Sequence, residues 1–283
     1  MAPLPLSEPF LYNSDVMRSD ADYDAIIFDL LDTLYPWGPD RYSRALNALC
    51  ETVSLRCPPL TPDEVRERYI EVRTRYSSRN LPRLVENDFP AAVTDLCRAC
   101  GSASPAELAA ESIADYEAAL AAALELPTEV GEMVRRLSSR YKLGVMSNYP
   151  TSGGIRAALQ RDGLTEFVGA VVVSSEVGFI KPHSAMFREA LSLLDCALDG
   201  ALVVGDTWES DIVGAHLCGI ASVRVRPSEA GVEQGRSFNG YIRRWLESQP
   251  DGEWKKAKPL AELERVVDLE PWLDLRRGMA LWD

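Results

Sequence analysis

Four short apolar runs, each followed at once by polar residues, are the feature that most restricts the fold of this chain. They occupy residues 25–28, 143–146, 170–173 and 201–204. Runs of this kind are typical of strands that are buried on both faces of a parallel sheet. Segments with apolar residues at helical spacing lie between the later runs, as at 130–141 and 184–194. This alternation predicts an α/β fold with a doubly wound, Rossmann-like parallel sheet.

The rest of the sequence predicts how the chain is divided. Residues 37–127 are rich in Ala, Leu, Glu and Arg at helical spacing, which predicts a second, smaller, all-helical domain inserted after the first strand. The core domain then comprises residues 23–36 and 128–283. Residues 1–22 are polar with scattered Pro and Ser, as in a flexible N-terminal tail.

A second segment that breaks the alternation of strands and helices, after the one at 37–127, follows the last apolar run. Residues 228–254 form an insertion that contains an amphipathic segment at 241–246, and residues 260–267 then have the spacing of a helix. The sequence assigns no role to this insertion.

Charge and residue counts exclude several classes of function. The chain of 283 residues has 30 Lys and Arg against 43 Asp and Glu, a formal charge of -13, which disfavours nucleic acid and anionic lipid as partners. A phosphate-bearing ligand must therefore be held by a local site. No apolar stretch reaches the roughly 20 residues of a membrane helix, and no secretory signal is recognisable, so we expect a cytoplasmic protein with no membrane partner. Two histidines leave little room for a Ser-His-Asp triad.

Polar side chains follow the apolar runs at the carboxyl end of each predicted strand. Asp29 ends the first run, Ser147 follows the second, and Asp206 follows the fourth, while Lys181 stands directly before Pro182. Ligands of such sheets bind beyond the carboxyl ends of the strands. We therefore expect Asp29, Ser147, Lys181 and Asp206 to converge. The pair Asp206 and Asp211, five residues apart, suits a divalent cation with oxygen ligands.

Taken in this order, the segments 28–34, 145–148, 178–182 and 203–211 resemble those of the haloacid dehalogenase-like hydrolase superfamily. The resemblance covers roughly residues 24–36 and 130–225. The helical insertion lies where members of the superfamily carry a cap over the active site. Residues 28–36, Phe-Asp-Leu-Leu-Asp-Thr-Leu-Tyr-Pro, are similar to the FDLDDTLYP form of small-metabolite phosphatases, including pyrimidine nucleotidase-like members.

The resemblance implies a role for each matching residue. Asp29 is the implied nucleophile, which forms an aspartyl-phosphate, and Lys181 neutralises the charge that develops around it. Thr33 and Ser147 are the implied ligands of the phosphoryl oxygens. Asn148 orients either the phosphate or Lys181. The implied Mg²⁺ ligands are Asp29, Asp206, Asp211 and the backbone carbonyl of Leu31.

The sequence departs from the phosphatase pattern at one important position. The residue two after the nucleophile is normally a second Asp that protonates the leaving group, but here it is Leu31, which has no proton to transfer. The neighbouring Asp32 is a poor substitute, because consecutive side chains in extended chain point to opposite sides.

Several functions are compatible with a leucine at this position. The first is Mg²⁺-dependent hydrolysis of a small phosphorylated metabolite, including an acyl phosphate, whose leaving group needs no proton. The alternatives are a catalytically impaired regulatory protein that still binds phosphate and Mg²⁺, or a hydrolase of carbon-phosphorus or carbon-halogen bonds. The carboxylates Asp206 and Asp211 favour metal-dependent phosphoryl chemistry over metal-free dehalogenation. Candidate cap contacts to an anionic substrate are Arg41, Arg44 and Arg75.

Overall fold

A computed structural model describes residues 23–226 and 240–280 of the protein, so the predicted tail at 1–22 lies outside the described residues. At its centre is a six-stranded sheet in which all neighbouring strands are parallel, in the order β3-β2-β1-β4-β5-β6. The strands are β1 (Ala25–Asp29), β2 (Lys142–Ser147), β3 (Ala170–Val173), β4 (Ala201–Gly205), β5 (Ala221–Val225) and β6 (Glu262–Leu263). The four predicted runs form β1 to β4, which confirms the fold class.

Helices cover both faces of the sheet and form the insertion after β1. They are α1 (Pro39–Arg56), α2 (Pro62–Asn80), α3 (Phe89–Ala99), α4 (Pro105–Ala123), α5 (Thr128–Ser138), α6 (Gly153–Arg161), α7 (Ser174–Val177), α8 (Ser184–Leu194), α9 (Val213–Leu217), α10 (240–247) and α11 (Leu269–Ala280). None of the helices in this part of the chain is long and apolar enough to cross a bilayer. The cytoplasmic location stays a prediction.

The two faces of β1 pack into different clusters, which explains why its first four residues, 25–28, are all apolar. Ile26 and Phe28 belong to a cluster that includes side chains of α5, α6 and α11. Ala25 and Ile27 belong to a second cluster, formed with α8 and α9 on the opposite face. Because side chains alternate along a strand, every position of β1 is buried.

Helices α1 to α4, here called the helical insertion, begin at clear local signals. Each has a proline in its first turn. Proline is tolerated there because a backbone N–H in the first turn has no hydrogen-bond acceptor within the helix. Thr61 and Glu64 add a reciprocal capping box at the start of α2. The buried residues of these helices continue the cluster that contains Ile26 and Phe28. The boundaries 37–127 for a separate domain stay a prediction.

The helix predicted at 260–267 is wrong. Glu262 and Leu263 instead form β6, in register with Arg224 and Val225 of β5. Arg224 N donates to the carbonyl oxygen of Ala261 at 2.9 Å, so the segment satisfies backbone groups along the edge of β5. Pairing with an open strand edge overrode the local helical spacing of the sequence.

The described part of the predicted insertion 228–254 packs against the segment that follows α2 and against the segment that precedes Lys181. The amphipathic segment forms α10, whose Ile242 and Leu246 are fully buried. They pack with Leu81 and Leu84, which follow α2, and with Ile180, which precedes Lys181. This cluster therefore joins α10, the helical insertion and the core.

Candidate active site

The carboxyl ends of the central strands bring the predicted residues together. Asp29 is the last residue of β1 and Ser147 the last of β2, while Asp206 directly follows β4. The register pairs Asp29 with Met146, so these three ends lie side by side at one edge. One cavity of about 510 Å³ is lined by Asp29, Ser147, Lys181 and Asp206, as well as by the helical insertion. This volume is within the range of about 300–1,000 Å³ for small-molecule sites.

Three buried carboxyl groups form a compact cluster at this edge. Asp29, Asp206 and Asp211 each offer an oxygen, and these oxygens lie within 4.8 Å of one another. Burial raises the pKa of Asp206 well above its usual range, and the negative charges of Asp29 and Asp211 raise it further. A group of oxygen donors that repel one another in this way fits a hard divalent cation such as Mg²⁺.

Lys181 supplies the positive charge of the cluster from inside the protein. Its Nζ donates to Asp29 Oδ1 at 2.5 Å, to Asp211 Oδ1 at 2.7 Å and to the carbonyl oxygen of Met146 at 3.1 Å. The residue is 1% exposed. Burial lowers the pKa of the Lys181 ammonium, but the carboxylates of Asp211 and Asp29 outweigh it and raise that pKa. For Asp29, burial disfavours the charged carboxylate and raises its pKa, and this effect outweighs the lowering by the positive charge of Lys181.

Asn148 holds the backbone of Lys181 through both ends of its amide. Its Oδ1 accepts from Lys181 N at 2.7 Å, and its Nδ2 donates to the Lys181 carbonyl oxygen at 3.1 Å. Of the two roles expected for Asn148, this geometry favours orienting Lys181. Thr33 also contacts the cluster: its hydroxyl donates to Asp206 Oδ1 at 3.4 Å.

The turn after β1 determines what Leu31 and Asp32 can do. Asp32 has a φ of 63°, a left-handed conformation that Asp tolerates better than most residues. Its Oδ1 accepts from the backbone N of Trp37 at 3.0 Å, so this carboxylate holds the turn. Leu31, which is half-buried, lines the cavity with an apolar side chain. Asp32 lines the same cavity, but its hydrogen bond to Trp37 N favours a structural role over replacement of the missing acid.

The structure corrects the sequence-based choice of cationic residues in the helical insertion. Arg41 donates to the carbonyl oxygen of Pro36 and pairs with Glu125, and neither Arg44 nor Arg75 is among the described residues that line the cavity. Arg73, which sequence reasoning missed, does line it.

The sequence did contain a signal for Arg73. Tyr69, Arg73 and Ser77 are spaced four residues apart, which places them on one face of α2. All three line the cavity. Glu86 and the rings of Tyr42, Tyr116 and Tyr149 line it as well, and no local motif marked them.

Replacement of Gly205 by Ala is expected to damage the carboxylate cluster. A Cβ at this position would lie 2.5 Å from Cγ of Asp211, whose residue is fully buried and has no room to move. We expect Gly205→Ala to lower the free energy of unfolding by about 1–3 kcal/mol and to weaken Mg²⁺ binding, as measured by denaturant titration and calorimetry.

Gly169→Ala is the matched control for this substitution. Its Cβ would meet Leu194 at 3.4 Å, an ordinary contact, so stability and Mg²⁺ binding should stay close to those of the unmodified protein. Equal stability and equal Mg²⁺ affinity for the two variants would contradict the close packing of Gly205 against Asp211.

Known proteins share both the sequence and the fold of this chain. A family model for haloacid dehalogenase-like hydrolases matches residues 26–225. The glyceraldehyde 3-phosphate phosphatase of Methanothermobacter thermautotrophicus is 30% identical over 208 residues, which cover 71% of this chain and 84% of that protein. The ribulose-1,5-bisphosphate 5-phosphatase of Halopiger xanaduensis is 31% identical over 216 residues, covering 72% and 85%.

Solved structures agree on the architecture. The 2-haloacid dehalogenase from Pseudomonas syringae pv. tomato DC3000 superposes with a TM-score of 0.65 at 21% identity, covering 90% of this chain and 99% of that one. A haloacid dehalogenase-type phosphatase from Thermococcus onnurineus has a TM-score of 0.56 at 18% identity, covering 88% and 97%. Similarity at this level of identity shows the shared fold. With the match over residues 26–225, it follows that the chain is a hydrolase and belongs to the haloacid dehalogenase-like hydrolase family.

Proposed function

We propose that the protein hydrolyses phosphate esters of small metabolites, with Asp29 as nucleophile and Mg²⁺ as cofactor. The observation that carries this proposal is the buried group of Asp29, Lys181, Asp206 and Asp211, which adjoins a cavity shared with the helical insertion. Two relatives that cover most of the chain are named as phosphatases of small phosphorylated compounds, which supports the same chemistry here.

The proposed reaction has two displacement steps. The Asp29 carboxylate attacks phosphorus, the bond from phosphorus to the leaving oxygen breaks, and an aspartyl-phosphate forms. Water then attacks the same phosphorus and gives up a proton to solvent, and the bond from phosphorus to the Asp29 oxygen breaks, which releases inorganic phosphate and restores the Asp29 carboxylate. The leaving oxygen takes its proton from water, because Leu31 has none to donate.

Other side chains of the site hold the reacting groups in this proposal. Lys181 orients one oxygen of Asp29 and offsets the negative charge that builds up around it. The hydroxyl groups of Thr33 and Ser147 bind the phosphoryl oxygens. Asn148 keeps Lys181 in place through the two backbone hydrogen bonds described above.

The Mg²⁺ ligands in this proposal are Asp29, Asp206, Asp211 and the carbonyl oxygen of Leu31. Their oxygens are the donors that Mg²⁺ prefers in proteins. When bound, the ion would offset the repulsion between an anionic nucleophile and an anionic phosphoryl group. The formal charge of -13 and the size of the cavity support a small substrate rather than a nucleic acid.

Leu31 favours a second candidate function. Without a group that protonates the leaving oxygen, the protein would bind phosphate and Mg²⁺ as a regulatory protein and turn over slowly or not at all. Cleavage of a carbon-halogen bond, whose halide leaves without a proton, or of a carbon-phosphorus bond is the remaining alternative.

Metal-dependent release of phosphate tests the proposal. The purified protein is incubated with phosphate monoesters, acyl phosphates, pyrophosphate, phosphonates and a 2-haloacid, in Mg²⁺ or in EDTA, and released phosphate and halide are measured. We expect phosphate release in Mg²⁺ that stops in EDTA and returns when Mg²⁺ is restored. Mg²⁺ should also raise the unfolding temperature, because it binds only the folded cluster.

The other outcomes distinguish the alternatives. Halide release that is insensitive to EDTA would establish dehalogenation instead. Binding of Mg²⁺ and phosphate in calorimetry, with no product from any substrate, would leave the regulatory protein as the better description.

A further inference from the structure

The basic side chains that line the cavity differ in whether they are neutralised. Three of the four described ones pair with carboxylates. Lys181 pairs with Asp29 and Asp211, as described above. Arg243 pairs with Glu209, and Arg224 lies 3.7 Å from Glu262. The positive charges of these three residues are therefore already balanced by the protein.

Arg73 is the exception. It is exposed and lines the cavity, and no carboxylate of the described residues lies within ion-pair distance of its guanidinium. The nearby carboxyl group of Glu86 is held instead by the hydroxyl of Ser174 and by the backbone N of Asn87. An Arg keeps its positive charge at any physiological pH. The cavity wall formed by α2 therefore carries a positive charge that is in no direct ion pair with a described carboxylate, although the charge of Arg73 does act on Glu86.

The surroundings of Arg73 are aromatic. Its guanidinium carbon stands 5.7 Å from the centre of the Tyr42 ring, and Tyr69 and Tyr116 line the same cavity. Stacking on an aromatic face restricts a guanidinium while its N–H groups stay available. A planar, charged donor that is oriented in this way is suited to bidentate binding of a carboxylate or a phosphate.

Backbone pairing connects the wall that carries Arg73 to the loop that carries Lys181. Residues 84–86, which follow α2, pair with residues 178–180: Glu86 N donates to the Gly178 carbonyl oxygen at 3.0 Å, and Ile180 N donates to that of Leu84 at 2.9 Å. The position of α2 relative to Lys181 is thereby restrained. Lys181 beside the nucleophile and Arg73 on the helical insertion thus line the same cavity from two segments that are joined by backbone hydrogen bonds.

We propose that Arg73 binds a second anionic group of the substrate, a carboxylate or a phosphate, while the phosphoryl group that is transferred lies at Asp29. This inference rests on the proposed function and narrows its substrate class to small molecules with two anionic groups. Arg73 is then a specificity residue: it contributes to substrate binding and takes no part in the displacement at phosphorus.

Pairs of substrates that differ only in the second anionic group test this inference. Suitable pairs are 3-phosphoglycerate with glycerol 3-phosphate, and fructose 1,6-bisphosphate with fructose 6-phosphate. The unmodified protein should prefer the member with two anionic groups. Arg73→Gln should raise KM for that member by about 10- to 100-fold, with kcat nearly unchanged, and should alter KM for the other member less than about twofold.

Two further variants complete the design. Arg73→Lys keeps the charge but loses the planar pair of donors, so its KM should be intermediate. Arg75→Gln removes an exposed arginine from the same helix, away from the cavity, and should leave both substrates unaffected. Equal changes in KM for both members of each pair, or no change, would overturn the assignment of Arg73.

Calorimetry separates failure of this inference from failure of the proposed function. If no substrate is hydrolysed, the same pairs are titrated into the unmodified and Arg73→Gln proteins in Mg²⁺. A loss of affinity confined to the ligands with two anionic groups would support the role of Arg73 even without turnover. Equal affinities for both members in both proteins would refute it.

Discussion

Asp29→Asn is expected to lower phosphate release by at least about 1,000-fold, because an amide is a far weaker nucleophile than a carboxylate. Asp29 accepts from Lys181 and lines the cavity, whereas Asp211, the other described carboxylate that accepts from Lys181, is not among the residues that line it. Release of phosphate under saturating substrate and Mg²⁺ measures the effect.

The fold should survive this substitution. Asn has nearly the volume of Asp, and Lys181 keeps its ion pair with Asp211. Asp115→Asn, which changes an exposed carboxylate of α4, is the control and should leave activity unchanged. If Asp29→Asn retained more than a tenth of the activity with an unchanged unfolding temperature, Asp29 would not be the nucleophile.

Leu31→Asp is expected to increase turnover of alkyl phosphate esters by about 10²- to 10⁴-fold, the usual contribution of a general acid. Leu31 lines the cavity two residues after Asp29, whereas the carboxylate of Asp32 is held by the backbone of Trp37. Asp32 also lines the cavity, but an Asp at position 31 would add a carboxyl group that is not engaged by the backbone of Trp37.

A series of substrates with different leaving groups measures this effect. In the unmodified protein, kcat should fall steeply as the pKa of the leaving alcohol rises, because the departing oxygen receives no proton from the site. In Leu31→Asp this dependence should flatten. Leu31→Asn, which has the size and polarity but no transferable proton, should show neither change.

Two results would alter the interpretation of Leu31. If the unmodified protein already hydrolyses esters of poor leaving groups rapidly, another group donates the proton. If turnover appears only in Leu31→Asp, the natural protein binds phosphate without hydrolysing it, and the regulatory alternative is correct.

Local sequence determined four of the six strands of the central sheet, β1 to β4. The runs that became β1 to β4 are apolar at every position, which is typical of a strand buried on both faces, and each is followed by a polar residue at its carboxyl end. Because parallel strands end at a common edge, the proximity of Asp29, Ser147 and Asp206 followed from these local patterns. The capping box of α2 is also a local signal, because Thr61 and Glu64 are only three residues apart.

Tertiary structure alone decided the features that depend on contacts between distant segments. The segment predicted as a helix at 260–267 became β6, because an open edge of β5 offered it hydrogen bonds. Helical spacing alone does not tell which face of α2 meets the cavity, so Arg73 was missed and Arg75 was chosen on the same helix. The amide of Asn148 reaches the backbone of Lys181 across 33 residues of sequence, a contact that exists only once β2 and the loop before α8 have packed together.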